Sequence, residues 1–358
     1  MFSIVKLARG GAENVSSILA NYFSEHGHEV YFVNNHTREE LDNFYPLNEK
    51  IQVINAFPKK GFINKLVSLR KIVKKIKPDF ILGITAYPSF FSLLASIGLK
   101  TIVISTDHDS FELPPNVKPA FVPSFFKHQV NRIYRCVTVI TNADAQIVEN
   151  RFRKTVVMPN PLAITPAANV PDNKRKKILA VGRLDAWHVK GFDLLIKAWV
   201  KIYEKHPDWE LEIAGEGDSG KKYLSELASQ IGLKSQFSLS GFHLNVKQLY
   251  ENSEIFVLSS RYEGFGMALI EAMSQGCACI ACDYKGRQRE IIKNSDQGIC
   301  IAVEDENIIA TSIEKLINDS EYRKRIQHNA IDRSKDFVPD IIGRKWLELF
   351  NSLRGNDE

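Results

Sequence analysis

The residues able to do chemistry in this chain cluster where carboxylates, cations and glycines follow apolar runs. Glu263 to Glu271 reads Glu-Gly-Phe-Gly-Met-Ala-Leu-Ile-Glu, two carboxylates separated by seven mostly apolar residues. A Gly-Phe-Gly turn lets backbone come close to a ligand. The helix that begins after it would point unpaired N–H groups at an anion. Glu271, in the first turns of that helix, can then accept hydrogen bonds from a sugar or ribose hydroxyl pair, with Glu263 on the loop opposite. An ordinary strand-loop-helix with two surface acids would carry the same letters.

Two cations accompany this segment. Gly182-Arg183-Leu184 ends the apolar run Ile178–Val181, and Lys190-Gly191 opens the next helical pattern. A fixed Arg fork and a mobile Lys point charge suit a diphosphate; a solvated loop is the plainer reading. Gly215-Glu216-Gly217 follows another strand pattern and fits a close backbone approach to a nucleotide. In the first half, Gly10-Gly11-Ala12-Glu13 joins strand to helix, giving a tight turn and a second helix N-terminus, or merely a cap. Ser105-Thr106-Asp107-His108-Asp109 ends an apolar run. His108 there can bond a substrate hydroxyl or phosphate, with the flanking acids orienting it, although a lone histidine is more often structural.

These residues need strand ends to hold them. Strand-length apolar runs alternate with helical patterns: Ser3–Lys6, Glu29–Val33, Gln52–Ile54, Phe80–Gly83, Thr101–Ser105, Val137–Thr141 and Thr155–Met158 in the first half, with helices such as Ala12–Glu25 and Phe90–Ile97 between them. The pattern breaks from Asn160-Pro161 to Lys177 and restarts with Ile178–Val181, Trp209–Ala214, Phe237–Ser240, Ile255–Leu258, Cys279–Ala281 and Gly298–Ile301. The rhythm implies an α/β protein of parallel sheets covered by helices on both faces. The expected division is a domain over 1–163, a linker over 164–177, a second domain over 178–338 and a C-terminal helix over 339–358. Two doubly wound domains facing each other would turn their ligand crevices toward a common cleft.

Composition narrows the class. A chain of 358 residues is long enough for two domains, and no apolar run reaches the roughly 18 residues of a membrane span. The start, Met1-Phe2-Ser3-Ile4-Val5-Lys6, lacks the pattern of a signal peptide. Five cysteines fit a reducing compartment, so a cytoplasmic protein is expected. Cys277, Cys279 and Cys282 lack paired zinc-site spacing and read as small core residues, and no metal is expected. Residues 1 to 163 hold 20 basic and 13 acidic side chains, against 27 and 29 in the remainder. Lys59, Lys60, Lys65, Arg70, Lys71, Lys74, Lys75 and Lys77 interleave with Phe62, Ile63, Leu66, Leu69, Ile72, Val73 and Ile76. This basic amphipathic helix either packs and solvates its charges or also rests on an anionic membrane, each cation there contributing about 1 kcal/mol. No recognised nucleic-acid motif accompanies it.

Taken together, these motifs resemble the family 4 glycosyltransferases, retaining enzymes of GT-B architecture: two Rossmann-like domains about a central cleft. The resemblance covers nearly the whole chain and is strongest from Lys177 to Ile280. It implies that Gly182, Arg183 and Lys190 bind the donor diphosphate, that Gly215 approaches the nucleotide, and that Phe242 frames the base. Glu263 would contact the transferred sugar. Phe265 and Gly266 belong to the same turn, backbone amides around Met267, Ala268 and Leu269 would add to the field, and Glu271 would hold the ribose. Gly10 and Gly11 would line the phosphate or acceptor, and His108 would face the reacting centre with Asp109 nearby. No cofactor or metal is implied beyond the nucleotide-sugar cosubstrate, for which a UDP-linked donor is expected.

The implied activity moves a hexose or N-acetylhexosamine to a glycan or lipid-linked acceptor in bacterial capsule, lipopolysaccharide or exopolysaccharide synthesis, at the cytosolic face of the inner membrane. The chain reaches Gly10-Gly11 early for the family, so either the start is truncated or misassigned or the first strand is short, and a strand that begins abruptly is expected. A non-hydrolysing sugar-nucleotide epimerase and a non-catalytic nucleotide-sugar-binding module are the rival classes. The first would convert donor without acceptor; the second would lose no activity when Arg183 or Glu263 is changed.

Overall fold

Strands that alternate with helices in sequence can pair only through crossovers, and such crossovers give parallel sheets. The computed structural model, which describes residues 1–4, 11–42, 45–56, 61–113, 120–233 and 235–355, has this organisation. The chain forms two compact units, Met1–Ala163 with Val338–Glu358, and Ile164–Phe337.

The first unit holds β1 (Phe2–Ser3), β2 (Tyr31–Asn34), β3 (Gln52–Asn55), β4 (Phe80–Ile84), β5 (Ile102–Thr106), β6 (Cys136–Val139) and β7 (Thr155–Val157). They pair in parallel in the order β3-β2-β1-β4-β5-β6-β7. The short β1 lies inside the sheet, Phe2 in register with Phe32 and Leu82. Of the strand expected over Ser3–Lys6, Val5 and Lys6 lie outside the described residues. Helix Pro339–Arg354 belongs to this unit: Phe350 meets the rings of Phe23 and Phe80 at 5.5 and 4.5 Å, and Arg354 pairs with Asp79 at 2.9 Å.

The second unit holds β8 (Arg175–Val181), β9 (Glu210–Ala214), β10 (Phe237–Gly241), β11 (Ser253–Leu258), β12 (Ala278–Cys282) and β13 (Ile299–Ile301). These are parallel in the order β10-β9-β8-β11-β12-β13. Their apolar residues, including Ile178, Leu211, Ile213, Ile255, Val257 and Ile280, share one core with Leu195 and Trp199 of helix Phe192–Val200. Cys277, Cys279 and Cys282 are fully buried free thiols; Cys277 bonds the Tyr250 and Ser253 carbonyls.

The stretch 164–177 differs from a linker. Ala167 donates to the Ser274 carbonyl at 2.8 Å, and Lys174 reaches the carbonyls of Tyr250 and Ser253 at 2.9 and 2.8 Å. β8 already begins at Arg175. Lack of periodicity signalled irregular backbone, and the hydrogen bonds attach that backbone to the second unit.

Both sheets reverse strand order once, between β1 and β4 in the first and between β8 and β11 in the second, and the loops leaving the carboxyl ends there are the places for ligands. Gly83 shows how tightly the first reversal is packed. A Cβ on it would lie 2.4 Å from the Ser89 Cα, backbone that no rotamer change can move aside. Gly83→Ala should therefore destabilise the first unit by about 1–3 kcal/mol, read as a lowered thermal midpoint.

Candidate functional site

In the second unit the loops after β8 and β11, the two strands flanking the reversal, are held together by backbone contact. The short helix Trp187–Lys190 stops at Gly191, whose φ is +65°. A Cβ at Gly191 would lie 1.9 Å from the Ser259 carbonyl oxygen, so only glycine fits. Ser259 Oγ donates to the Lys190 carbonyl at 2.8 Å. Arg261 grips Asp193 with two bonds of 2.7 and 2.8 Å and donates to the His188 carbonyl at 2.7 Å. These ties bring Lys190 Nζ to 2.8 Å from Glu263 Oε2, and Ser260 Oγ donates to the same oxygen at 3.2 Å. The spacing of the sequence placed Lys190 on a loop; it ends a helical turn, because Gly191 closes that turn in the left-handed region.

Gly182 and Gly215 meet back to back. A Cβ on Gly215 would fall 1.8 Å from the Gly182 carbonyl oxygen, and the Gly215 N–H bonds the Gly241 carbonyl at 2.8 Å. Arg183 follows Gly182 and is exposed, and its guanidinium makes no hydrogen bond among the described residues. It lines an open cavity of about 540 Å³ with Asp185, Ala186, Glu216, Gly217 and Asp218. Asp185 is occupied in fixing this rim, accepting from Ser219 Oγ at 2.6 Å and the Gly220 N–H at 2.8 Å. Phe242 follows Gly241, and its ring is exposed.

Gly266, with φ +103°, starts helix Met267–Ser274 without a capping side chain. The first amides, of Met267 and Ala268, sit on partly exposed residues. Leu269 departs from the expected set: its N–H bonds the Gly266 carbonyl at 3.0 Å and its side chain is fully buried. Phe265 is buried too, its ring 5.7 Å from that of Phe337, so it anchors the turn. Glu271 Oε2 accepts from the Tyr250 hydroxyl at 3.1 Å. The residue as a whole is half-buried, but protein crowds its carboxyl, and this burial raises the pKa to about 7, against the lowering effect of the Tyr250 bond.

In the first unit, His108 follows the end of β5. Its Nδ1 lies 3.2 Å from Asn160 Oδ1, while Nε2 is buried without a partner among the described residues. Burial lowers the His108 pKa, opposed by the Asn160 bond and the Asp109 charge, so the ring is neutral. With Nδ1–H assigned to Asn160, Nε2 carries the lone pair and can accept a hydroxyl proton. The flanking acids do not bond the ring. Asp107 pairs with Lys127 at 3.1 Å, and Asp109 is exposed and accepts from the Ser110 N–H at 3.2 Å. Gly11 begins helix Gly11–Glu25, and a Cβ there would meet nothing within 4 Å among the described residues, so no contact among them demands glycine. Gly10 lies outside the described residues. Thr85, at the end of β4, has φ +70°, a strained conformation for a β-branched residue at the sheet's reversal.

Asn160, Tyr250, Ser260 and Lys127 were not legible as site residues. Asn160 is 52 positions from His108 and Tyr250 is 21 from Glu271. Ser260 alone offered a signal, lying three residues before Glu263 at a strand end.

Residues 164–333 match the family model for Glycosyl transferases group 1, and residues 9–165 match that for Glycosyltransferase Family 4. Over 365 aligned residues, 99% of this chain and 98% of the relative, the sequence is 27% identical to a Campylobacter jejuni alpha-1,4-N-acetyl-D-galactosaminyltransferase named for GalNAc-alpha-(1->4)-GalNAc-alpha-(1->3)-diNAcBac-PP-undecaprenol. It is 27% identical, over 96% of each chain, to the amylovoran biosynthesis glycosyltransferase AmsD of Erwinia amylovora. The crystal structure of Anabaena HepE in complex with UDP and glucose superposes with a TM-score of 0.81 at 19% identity, covering 98% of each chain. The fold is GT-B.

Glu271 gives a pH test of this geometry. Between its ordinary pKa of 4.5 and about 7 the carboxyl is protonated in the folded protein and ionised in the unfolded chain. Its contribution to stability therefore falls as pH rises through that window, by up to about 1.4 kcal/mol per pH unit. Glu271→Gln, which keeps an oxygen for Tyr250, should raise the melting temperature relative to wild type at pH 8 and change it little at pH 4.5.

Proposed function

This chain belongs to the family 4 glycosyltransferases, and we propose that it transfers a hexose or N-acetylhexosamine from a UDP-linked donor, with retention of anomeric configuration, to a glycan or lipid-linked acceptor in bacterial polysaccharide synthesis. The observation that carries this reading is the Lys190–Glu263 pair, which joins the loops after two adjacent strands, β8 and β11, where the sheet order reverses and where Arg183 follows the end of β8.

A sugar nucleotide needs its diphosphate steadied as the bond from sugar C1 to phosphate oxygen breaks. Arg183 has its fork uncommitted among the described residues, and Lys190 spends one of three donors on Glu263. The open amides of Met267 and Ala268 add positive field at a helix start. The acceptor oxygen forms its bond to C1 on the face the nucleotide leaves, and its proton passes to the departing phosphate. No separate general base is then needed, and the cations and the helix start do the work of a metal. Glu263 contacts a sugar hydroxyl, Glu271 the ribose diol, and Phe242 the base. The neutral His108 Nε2 suits acceptance from a sugar hydroxyl. The undecaprenol-linked glycan in one relative's name supports a lipid-linked acceptor, and the amylovoran biosynthesis in another's supports a role in polysaccharide synthesis.

A donor panel incubated with lipid-linked acceptors, followed by nucleoside diphosphate release and by the anomeric coupling of the product, tests the reading. UDP-sugars should be consumed only with acceptor, giving α product from α donor. Arg183→Ala and Lys190→Ala should each lower kcat about 10²–10³-fold. Donor epimerised without acceptor, or full transfer by Arg183→Ala, would contradict it.

A further inference from the structure

We propose that Tyr250 is a positioning residue for ribose recognition: its hydroxyl holds Glu271 Oε2 and leaves Oε1 as the oxygen that meets the nucleoside diol. The proposal rests on the reading that Glu271 binds ribose, and it adds the group that aims the carboxylate.

A glutamate suits recognition in one geometry only when something fixes it. Its three side-chain torsions turn, and the last is broad, so an untethered carboxylate loses rotamer freedom with each ligand. Glu271 is tethered at one oxygen. The Tyr250 hydroxyl donates to Oε2 at 3.1 Å, whereas Oε1 has no partner among the described residues and is reached by solvent. One oxygen is committed to the protein and the other remains for a ligand.

Tyr250 is itself held from several sides. It is fully buried, and its ring meets that of Phe256 on β11 edge-on at 5.8 Å. The helix that carries it, Val246–Glu251, is fixed at its C-terminal end by Lys174. Lys174 Nζ donates to the carbonyls of Tyr250, Glu251 and Ser253 at 2.9, 3.3 and 2.8 Å. A cation on the last carbonyls of a helix is the favourable arrangement. Cys277 Sγ adds a bond to the Tyr250 carbonyl at 3.2 Å. The irregular stretch before β8 thus acts on the site: through Lys174 it sets the hydroxyl that sets Glu271. Phenylalanine would serve packing alone, since burying a hydroxyl is costly unless it is bonded.

The bond also acts on charge. It favours the ionised carboxylate, against the burial that raises the Glu271 pKa to about 7. Among the described residues no cation and no second acid bears on that carboxyl. The titratable groups about Tyr250 are the Cys277 and Cys279 thiols, both pushed up by burial and neutral, while Lys174 is occupied on carbonyls. Tyr250 is therefore the side chain that tips Glu271 toward the form able to accept from two hydroxyls.

The test compares UDP with 2′,3′-dideoxy-UDP by calorimetric titration of the full chain, as wild type and as Tyr250→Phe, across neutral pH. Wild type should prefer UDP, and the preference should grow as pH rises through about 7. In Tyr250→Phe the preference at neutral pH should fall about tenfold, the loss of one bond to a charged group. Its rise should also move to higher pH, because the bond that lowers the pKa is gone. Dideoxy-UDP should bind both proteins alike, and in a Glu271→Ala background Tyr250→Phe should change nothing further. A UDP preference that is large in wild type and unchanged in Tyr250→Phe would overturn the proposal and leave the ribose reading standing. So would an equal loss for both ligands, which would make Tyr250 a purely structural residue. Wild type that binds UDP no better than dideoxy-UDP would sink the ribose assignment of Glu271 and the proposal with it.

Discussion

The second unit depends on backbone passing against backbone where side chains would ordinarily stand. Gly191 touches the Ser259 carbonyl and Gly215 touches the Gly182 carbonyl at separations that exclude any Cβ. Those contacts draw the ends of β8, β9 and β11 together, and Arg261 on Asp193 locks the arrangement from behind. The Lys190–Glu263 pair is a consequence: a cation from one strand end and an acid from another meet only because the loops between them have no room to separate. Arg183, on the same rim, remains available to a ligand.

Burial also sets protonation states, in each unit separately. His108 is held neutral by its surroundings and turned by Asn160 so that its lone pair is the unspent one. Glu271 is partly protected by Tyr250 but still titrates near neutrality in the unliganded protein. A ribose diol donating two hydrogen bonds would favour its ionised form. Binding of a ribose diol there would thereby be linked to the charge on Glu271.

The sequence exposed the alternation of strands and helices because period and length are local properties. It exposed Arg183, Lys190, Glu263 and Glu271 because strand ends are marked by glycines beside apolar runs. Partners set by tertiary contact were hidden. Asn160 read as the start of irregular backbone, and Tyr250 stood in no motif. Phe265 and Leu269 belonged to a motif that suggested ligand contact, yet their side chains pack inward as the motif's own support. Residues 164–177 looked unattached because their bonds run to carbonyls, which any sequence supplies.

The central claim is that the β8 and β11 strand ends recognise a diphosphate. Calorimetric titration with uridine, UMP and UDP, on wild type and on the Arg183→Ala, Lys190→Ala double variant, measures it directly. The account predicts that UDP binds wild type at least about 100-fold more tightly than uridine, as expected for charge-assisted bonds to two cations, and that the double variant loses most of that increment while retaining uridine affinity. Equal affinity for uridine and UDP in wild type, or an increment unchanged in the double variant, would contradict it.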